Sequence, residues 1–192
     1  MQSSDKPVMV VADFDDTLLT VDSLCSIMKK DRWYLDPAML MAGGRIVLAK
    51  ALGRGVLEAR SRFKWLMLGK YRALPESGKA AWIAYFREHV NKDVLGQIEA
   101  LHPAKVVIAS ASEEGLIVSV LDGILKTDDV IANVFTEDPA SFRTCYGRWK
   151  ADRFAERHPE RKDYRVVVFT DSESDRPLMN LADEVRLVRK AR

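Results

Sequence analysis

An open parallel β-sheet wrapped by helices, interrupted after its first strand by an all-helical insertion, is the α/β architecture this sequence predicts. Three observations support it. Residues 7–14 (PVMVVADF), 105–112 (KVVIASAS) and 164–171 (YRVVVFTD) are short runs rich in Val and Ile, apolar throughout as strands buried on both faces are. Helical patterns separate and follow the later runs, and a strand–helix–strand order closes most readily into a parallel sheet. Residues 22–92 lack any strand pattern and carry apolar side chains at three- and four-residue spacing instead.

Taken in order, the first run predicts a strand that gives out at Asp13, Asp15 and Asp16. Within the insertion, Val56, Ala59, Phe63, Met67 and Tyr71 mark one face of a helix, and Pro37, Gly53-Arg54-Gly55 and Leu74-Pro75 punctuate about four helices. After the second strand, EEGLIVSVLDGIL predicts a helix, with Ser112 as a candidate N-cap. A weaker strand pattern follows at 129–135. KADRFAERH predicts the helix before the third confident strand, and SDRPLMNLAD the one after it, opening at Ser174 or Asp175. Residues 183–188 form a last, weak strand pattern. This divides the chain into a core of residues 1–21 and 93–192 and a helical domain of residues 22–92.

Composition bounds the function. At 192 residues, 47% apolar and 30% charged, the chain has the make-up of one globular core with room for a smaller insertion. A net charge of +2 argues against nucleic acid as a partner. The charge is unevenly spread: residues 22–92 hold fourteen Lys or Arg against six Asp or Glu, a net of +8 that leaves −6 elsewhere. Cys25 and Cys145 lack metal-ligand spacing and read as free thiols in a reducing, cytoplasmic setting. The apolar stretch 38–52 carries Arg45 and Lys50 and falls short of the roughly 18 apolar residues of a span, so no membrane insertion is expected. Nothing in the pattern bears on oligomeric state.

Ligands of open parallel sheets bind beyond the carboxyl ends of the strands. There the three confident strands end in Asp13 and Asp15, in Ser110, and in Asp171 followed by Asp175. Period-two alternation would turn Asp13 and Asp15 to one side and Phe14 to the other. Four carboxylates crowded together resist joint ionisation, and their hard oxygens suit Mg²⁺ with a substrate phosphate. Lys150 supplies positive charge opposite such a metal, and Ser110 a hydroxyl donor for a phosphoryl oxygen.

DFDDTL (13–18), Ser110 after VVIA, Lys150 in GRWK and TDSESD (170–175) resemble, in order, the four motifs of the haloacid dehalogenase superfamily. The helical insertion after the first motif resembles that superfamily's C1 cap, and SASEE and DSESDRPLM are closest to its phosphoserine-phosphatase-like branch. The resemblance implies a Rossmann-like core and a Mg²⁺-dependent phosphatase of a small phosphorylated metabolite. It makes Asp13 the nucleophile that becomes an aspartyl-phosphate and Asp15 the general acid and then base. The metal would be held by Asp13, the Asp15 carbonyl and Asp171, with Asp175 in support, and the phosphoryl oxygens by Ser110 and Lys150. Phosphotransfer with the same intermediate, or a non-catalytic phosphate-binding role, are the alternatives.

The chain departs from that branch at three places. Thr170 stands where Gly is usual, Asp22 where a Glu reads the substrate's ammonium group, and Ser110-Ala111-Ser112 where Ser-Gly-Gly is usual. The last two argue against phosphoserine itself. Asp22, Arg32 and Arg45 are candidate substrate contacts. Asp16 reads as a turn residue, the histidines as surface or core residues, and Trp33, Tyr34, Phe63 and Trp65 as core of the insertion.

Overall fold

A computed structural model describes residues 6–189 of the protein. The chain runs β1 (Val8–Ala12), α1 (Ser23–Lys30), α2 (Pro37–Ala51), α3 (Val56–Arg72), α4 (Glu76–Glu88), α5 (Lys92–Glu99), β2 (Lys105–Glu113), α6 (Glu114–Leu121), β3 (Asp129–Asn133), α7 (Arg148–Arg157), β4 (Arg165–Thr170), α8 (Arg176–Met179) and β5 (Glu184–Leu187). The five strands form one parallel sheet in the order β3-β2-β1-β4-β5. Both weak strand patterns are therefore real strands, and each is shorter than its sequence pattern.

β1 lies at the centre, and its neighbours explain the continuous apolar run. Val10 and Ala12 pack into one apolar cluster and Met9 and Val11 into another on the opposite face. The second cluster is closed by Phe154 of α7 and Leu178 of α8. The first is closed by Ile98 of α5 and Leu116, Ile117 and Val120 of α6, and it continues into α1, α3 and α4 through Leu24, Met67 and Phe86.

The chain leaves the sheet and returns to it along adjacent paths. The Thr20 amide donates to the His89 carbonyl at 2.9 Å, and the Asn91 amide to the Leu18 carbonyl at 2.8 Å. Between these crossings lie α1–α4, with the first two starts fixed locally. Asp22 accepts from the Cys25 amide at 2.7 Å at the head of α1, and Asp36 accepts from the Ala38 amide at 2.8 Å with Pro37 opening α2. The α2–α3 reversal needs left-handed backbone at Gly53 (φ 64) and Gly55 (φ 71), which glycine adopts without strain. Among the described residues, no helix is long and apolar enough to cross a membrane.

Candidate active site

The strand order reverses direction around β1, the position at which open α/β sheets bind ligands. Asp13 is the first residue beyond β1. Its amide donates to the Phe169 carbonyl of β4 at 2.9 Å, and its own carboxylate accepts from the Phe14 amide at 2.8 Å. β1 ends at Ala12, so strand alternation does not govern the residues after it. A tight turn over residues 14–18, with Asp16 at φ 55, carries Asp15 to the cavity that Asp13 lines.

Asp15 is held from two directions. Its Oδ1 accepts from the Ser23 amide at the start of α1, and its Oδ2 from the Ser112 hydroxyl on β2, each at 2.8 Å. The Ser23 and Ser112 hydroxyls are 2.6 Å apart, which closes a buried three-residue network. Ser112 is therefore not an N-cap; Glu113 performs that role for α6, accepting from the Leu116 amide at 2.6 Å.

Lys150 lies within the first turn of α7 and is 2% exposed. Its ammonium sits 3.3 Å from Asp13 Oδ1 and 2.8 Å from Asp175 Oδ2, and the Thr170 hydroxyl donates to that same Asp175 oxygen at 2.9 Å. The Thr that replaces the usual Gly thus orients an acid of the site. Ser110 lies buried within β2, which runs three residues past it to Glu113 rather than ending there, and accepts from the Ser112 amide at 3.2 Å. Asp171 follows β4 directly, 3.5 Å from the Thr17 hydroxyl.

These groups face one cavity of about 420 Å³. Asp13, Asp15, Asp22, Ser110, Lys150, Asp171 and Asp175 all line it, so every site residue expected from the motifs is brought together. Asp22 does so while capping α1. Arg32 and Arg45 are not among its lining. In their place α3 contributes Arg60 and Lys64, one helical turn apart, with Phe63 and Met67 beside them. The Arg60 guanidinium stacks over Tyr146, 4.5 Å from the ring centre. Sequence reasoning missed Arg60, Lys64, Tyr146 and the acid-binding role of Ser112; the i,i+4 spacing of the two α3 cations beside an apolar stripe was the available signal.

Burial shapes the ionisation of these groups. It pushes Asp13 up to about 6, with Lys150 opposing and Asp175 and Asp171 adding to the rise. It pushes Asp15 up to about 7, helped by Asp22 and opposed by Lys64 and the bonds from Ser23. Burial disfavours the Lys150 ammonium, but Asp13 and Asp175 outweigh it and hold its pKa above the ordinary lysine value. A carboxyl in that range can both give and take a proton at neutral pH.

Among the described residues, no three His, Cys, Asp or Glu side chains stand together in ready ligand geometry. The donor chemistry nevertheless fits Mg²⁺, which takes one or two carboxylates and fills its shell with water and phosphate oxygens. Asp13 and Asp171 are hard oxygen donors lining the same cavity, and the charge of Asp171 contributes to the raised pKa of Asp13.

No curated protein sequence matches the chain. Solved structures share its fold. A protein of unknown function from Bordetella pertussis Tohama I superposes with a TM-score of 0.67 at 18% identity, over 94% of this chain and 89% of that one. A substrate-bound phosphoserine phosphatase gives 0.61 at 13% identity, over 98% and 95%. The phosphoserine phosphatase of T. onnurineus gives 0.56 at 16% identity, over 96% and 86%. A family model described as haloacid dehalogenase-like hydrolase matches residues 10–180, nearly the whole sheet with its insertion, and the chain belongs to that family.

Proposed function

We propose that the protein is a Mg²⁺-dependent phosphatase that hydrolyses a small phosphomonoester through an aspartyl-phosphate on Asp13. One observation carries this reading: Asp13 stands at the end of the central strand, ion-paired to Lys150 and facing a cavity shared with Ser110, Asp15 and Asp171. Residues 22–92 are proposed to act as a cap domain over the core of residues 1–21 and 93–192. The two free thiols suit a cytoplasmic location.

The Asp13 carboxylate attacks phosphorus while the bond from phosphorus to the leaving oxygen breaks, and Asp15 gives that oxygen its proton. Lys150 keeps Asp13 ionised for the attack, and together with Ser110 it holds the phosphoryl oxygens. Water then attacks the aspartyl-phosphate, Asp15 takes the proton, and inorganic phosphate leaves with Asp13 restored. Asp13 and Asp171, with the Asp15 carbonyl and Asp175 in support, would hold Mg²⁺; when bound, the ion neutralises phosphoryl charge. Closed over a seated ester, the covering helices would exclude bulk water.

The test is phosphate release from a panel of small alkyl phosphates and an aryl phosphate, with Mg²⁺ and with EDTA. Turnover should require the metal and vanish in Asp13→Asn. In Asp15→Asn it should fall most for alkyl esters, which need a protonated leaving group. Release that survives Asp13→Asn, or none from any ester in the presence of Mg²⁺, overturns the proposal.

A further inference from the structure

Among the described residues, no element covers the outward face of α2. Met39 and Ala42 pack inward, Ile46 lines the active-site cavity, and Gly43 faces Phe63 of α3. Opposite them, Leu40, Met41, Val47, Leu48 and Leu52 are 57–69% exposed. At 100° per residue, Leu40, Gly44, Val47, Leu48 and Ala51 fall within one arc of the helix, with Met41 and Leu52 at its edge. Exposed apolar residues scattered singly need no explanation, but a continuous helical face of them does.

The charges around this face distinguish between occupants. Arg45 flanks the arc on one side and Lys50 on the other, both exposed, and α2 contains no acidic residue. Lys29 and Arg32 before α2 and Arg54 after it are exposed as well, and Arg54 lines a groove with Arg45, Leu48 and Leu52. Nearby acids are fewer: Asp36 is paired with Lys70 at 2.7 Å, which leaves Asp31 and Glu58 exposed. In an antiparallel pairing of two α2 helices, Arg45, near the middle, would approach its own copy with no carboxylate on α2 to meet it. An apolar arc bordered by basic side chains suits an anionic lipid surface, where the arc enters the acyl boundary and the cations reach the headgroups.

We infer that the exposed face of α2 docks the protein peripherally on membranes containing anionic lipid. The helix, about 22 Å long, lies in the interface plane without crossing it. The inner side of the same helix roofs the cavity through Ile46, so the site stays with the docked face whatever ester it takes.

The experiment is vesicle flotation of the full chain with phosphatidylcholine alone and with part of it replaced by phosphatidylglycerol, at low and high salt. The protein should float with the anionic vesicles only, and salt should release it. Val47→Glu combined with Leu48→Glu should abolish flotation, and Arg45→Glu with Lys50→Glu should lower partition more than about tenfold. Thermal melts and phosphate release from a soluble ester check that these variants, none of which alters a residue lining the cavity, remain folded and active. Absence of flotation at low salt overturns the inference, as does flotation indifferent to both pairs of substitutions. So does sedimentation showing a dimer lost in the Val47/Leu48 variant while the wild type ignores lipid.

Discussion

Replacing Ser112 by alanine removes one oxygen from a fully buried position and with it two hydrogen bonds, to Asp15 Oδ2 at 2.8 Å and to Ser23 Oγ at 2.6 Å. The cavity left is smaller than a methyl group, so packing changes little. What is lost is orientation, because Asp15 loses its bond at Oδ2 and is held from the Ser23 side alone, which gives it freedom to rotate. A hydrogen bond to a charged group contributes about 1.5–3 kcal/mol, which corresponds to about 10- to 100-fold in rate if the whole of it serves to aim the proton. The assay is kcat/KM for an alkyl and an aryl phosphate, since this quantity reports the chemistry only up to release of the alcohol. The alkyl ester, whose leaving oxygen needs a proton, should lose the full factor, and the aryl ester, with its better leaving group, only a few-fold. Equal losses for the two esters, or an unchanged alkyl ester, would falsify the assignment of Ser112 as the residue that positions the acid.

Other predictions concern the frame around the site. Glu160, held by Lys105 at 2.7 Å and contacted by His158, has its carboxyl lowered to about 2, so its contribution is complete above the unfolded value near 4.5 and is lost as pH falls toward 2. Glu160→Gln should therefore cost about 1 kcal/mol or less at neutral pH, the pair being partly exposed, and should flatten the acid limb of a stability profile below pH 5. Asn133 donates to the Ala111 carbonyl at 2.6 Å and accepts from the Cys145 amide at 2.7 Å. Asn133→Ala orphans the buried Cys145 amide and frees the half-buried Ala111 carbonyl, and should cost about 1–3 kcal/mol in urea denaturation without changing the m-value. Gly96 lies in the interior of α5 with open space where a Cβ would stand, so Gly96→Ala should raise stability by about 1 kcal/mol.

The sequence made β1, β2 and β4 legible because strands covered on both faces must be apolar at every position, and acids placed just after such runs can only sit at the sheet edge. β5 was faint for the opposite reason: at the border of the sheet its four residues, Glu184–Leu187, alternate between half-buried and exposed, and Arg186 lies over Phe169. The turn after Asp13 was not legible, because it depends on a left-handed Asp16 that periodicity does not encode. Ser112 was misread as a cap for a related reason. Both the cap and the acid network begin at a strand end, and only the course of the chain around Asp15 decides which one the hydroxyl serves. On α3, Arg60 and Lys64 reach the cavity while Lys70 pairs with Asp36, a distinction set by the rotation of the helix against its neighbours.

The geometry of Asp15 links the acid to the covering helices. Burial is the largest cause of its raised pKa, and part of that cover comes from α3, which brings Lys64 near it, and from the start of α1, where Ser23 grips it. Under the proposed division into core and cap, withdrawing the helices would admit water, and the loss of burial would outweigh the loss of Lys64. Asp15 would then fall back toward an ordinary, ionised carboxylate. Returning them would raise its proton affinity toward 7 just as the cavity is shielded.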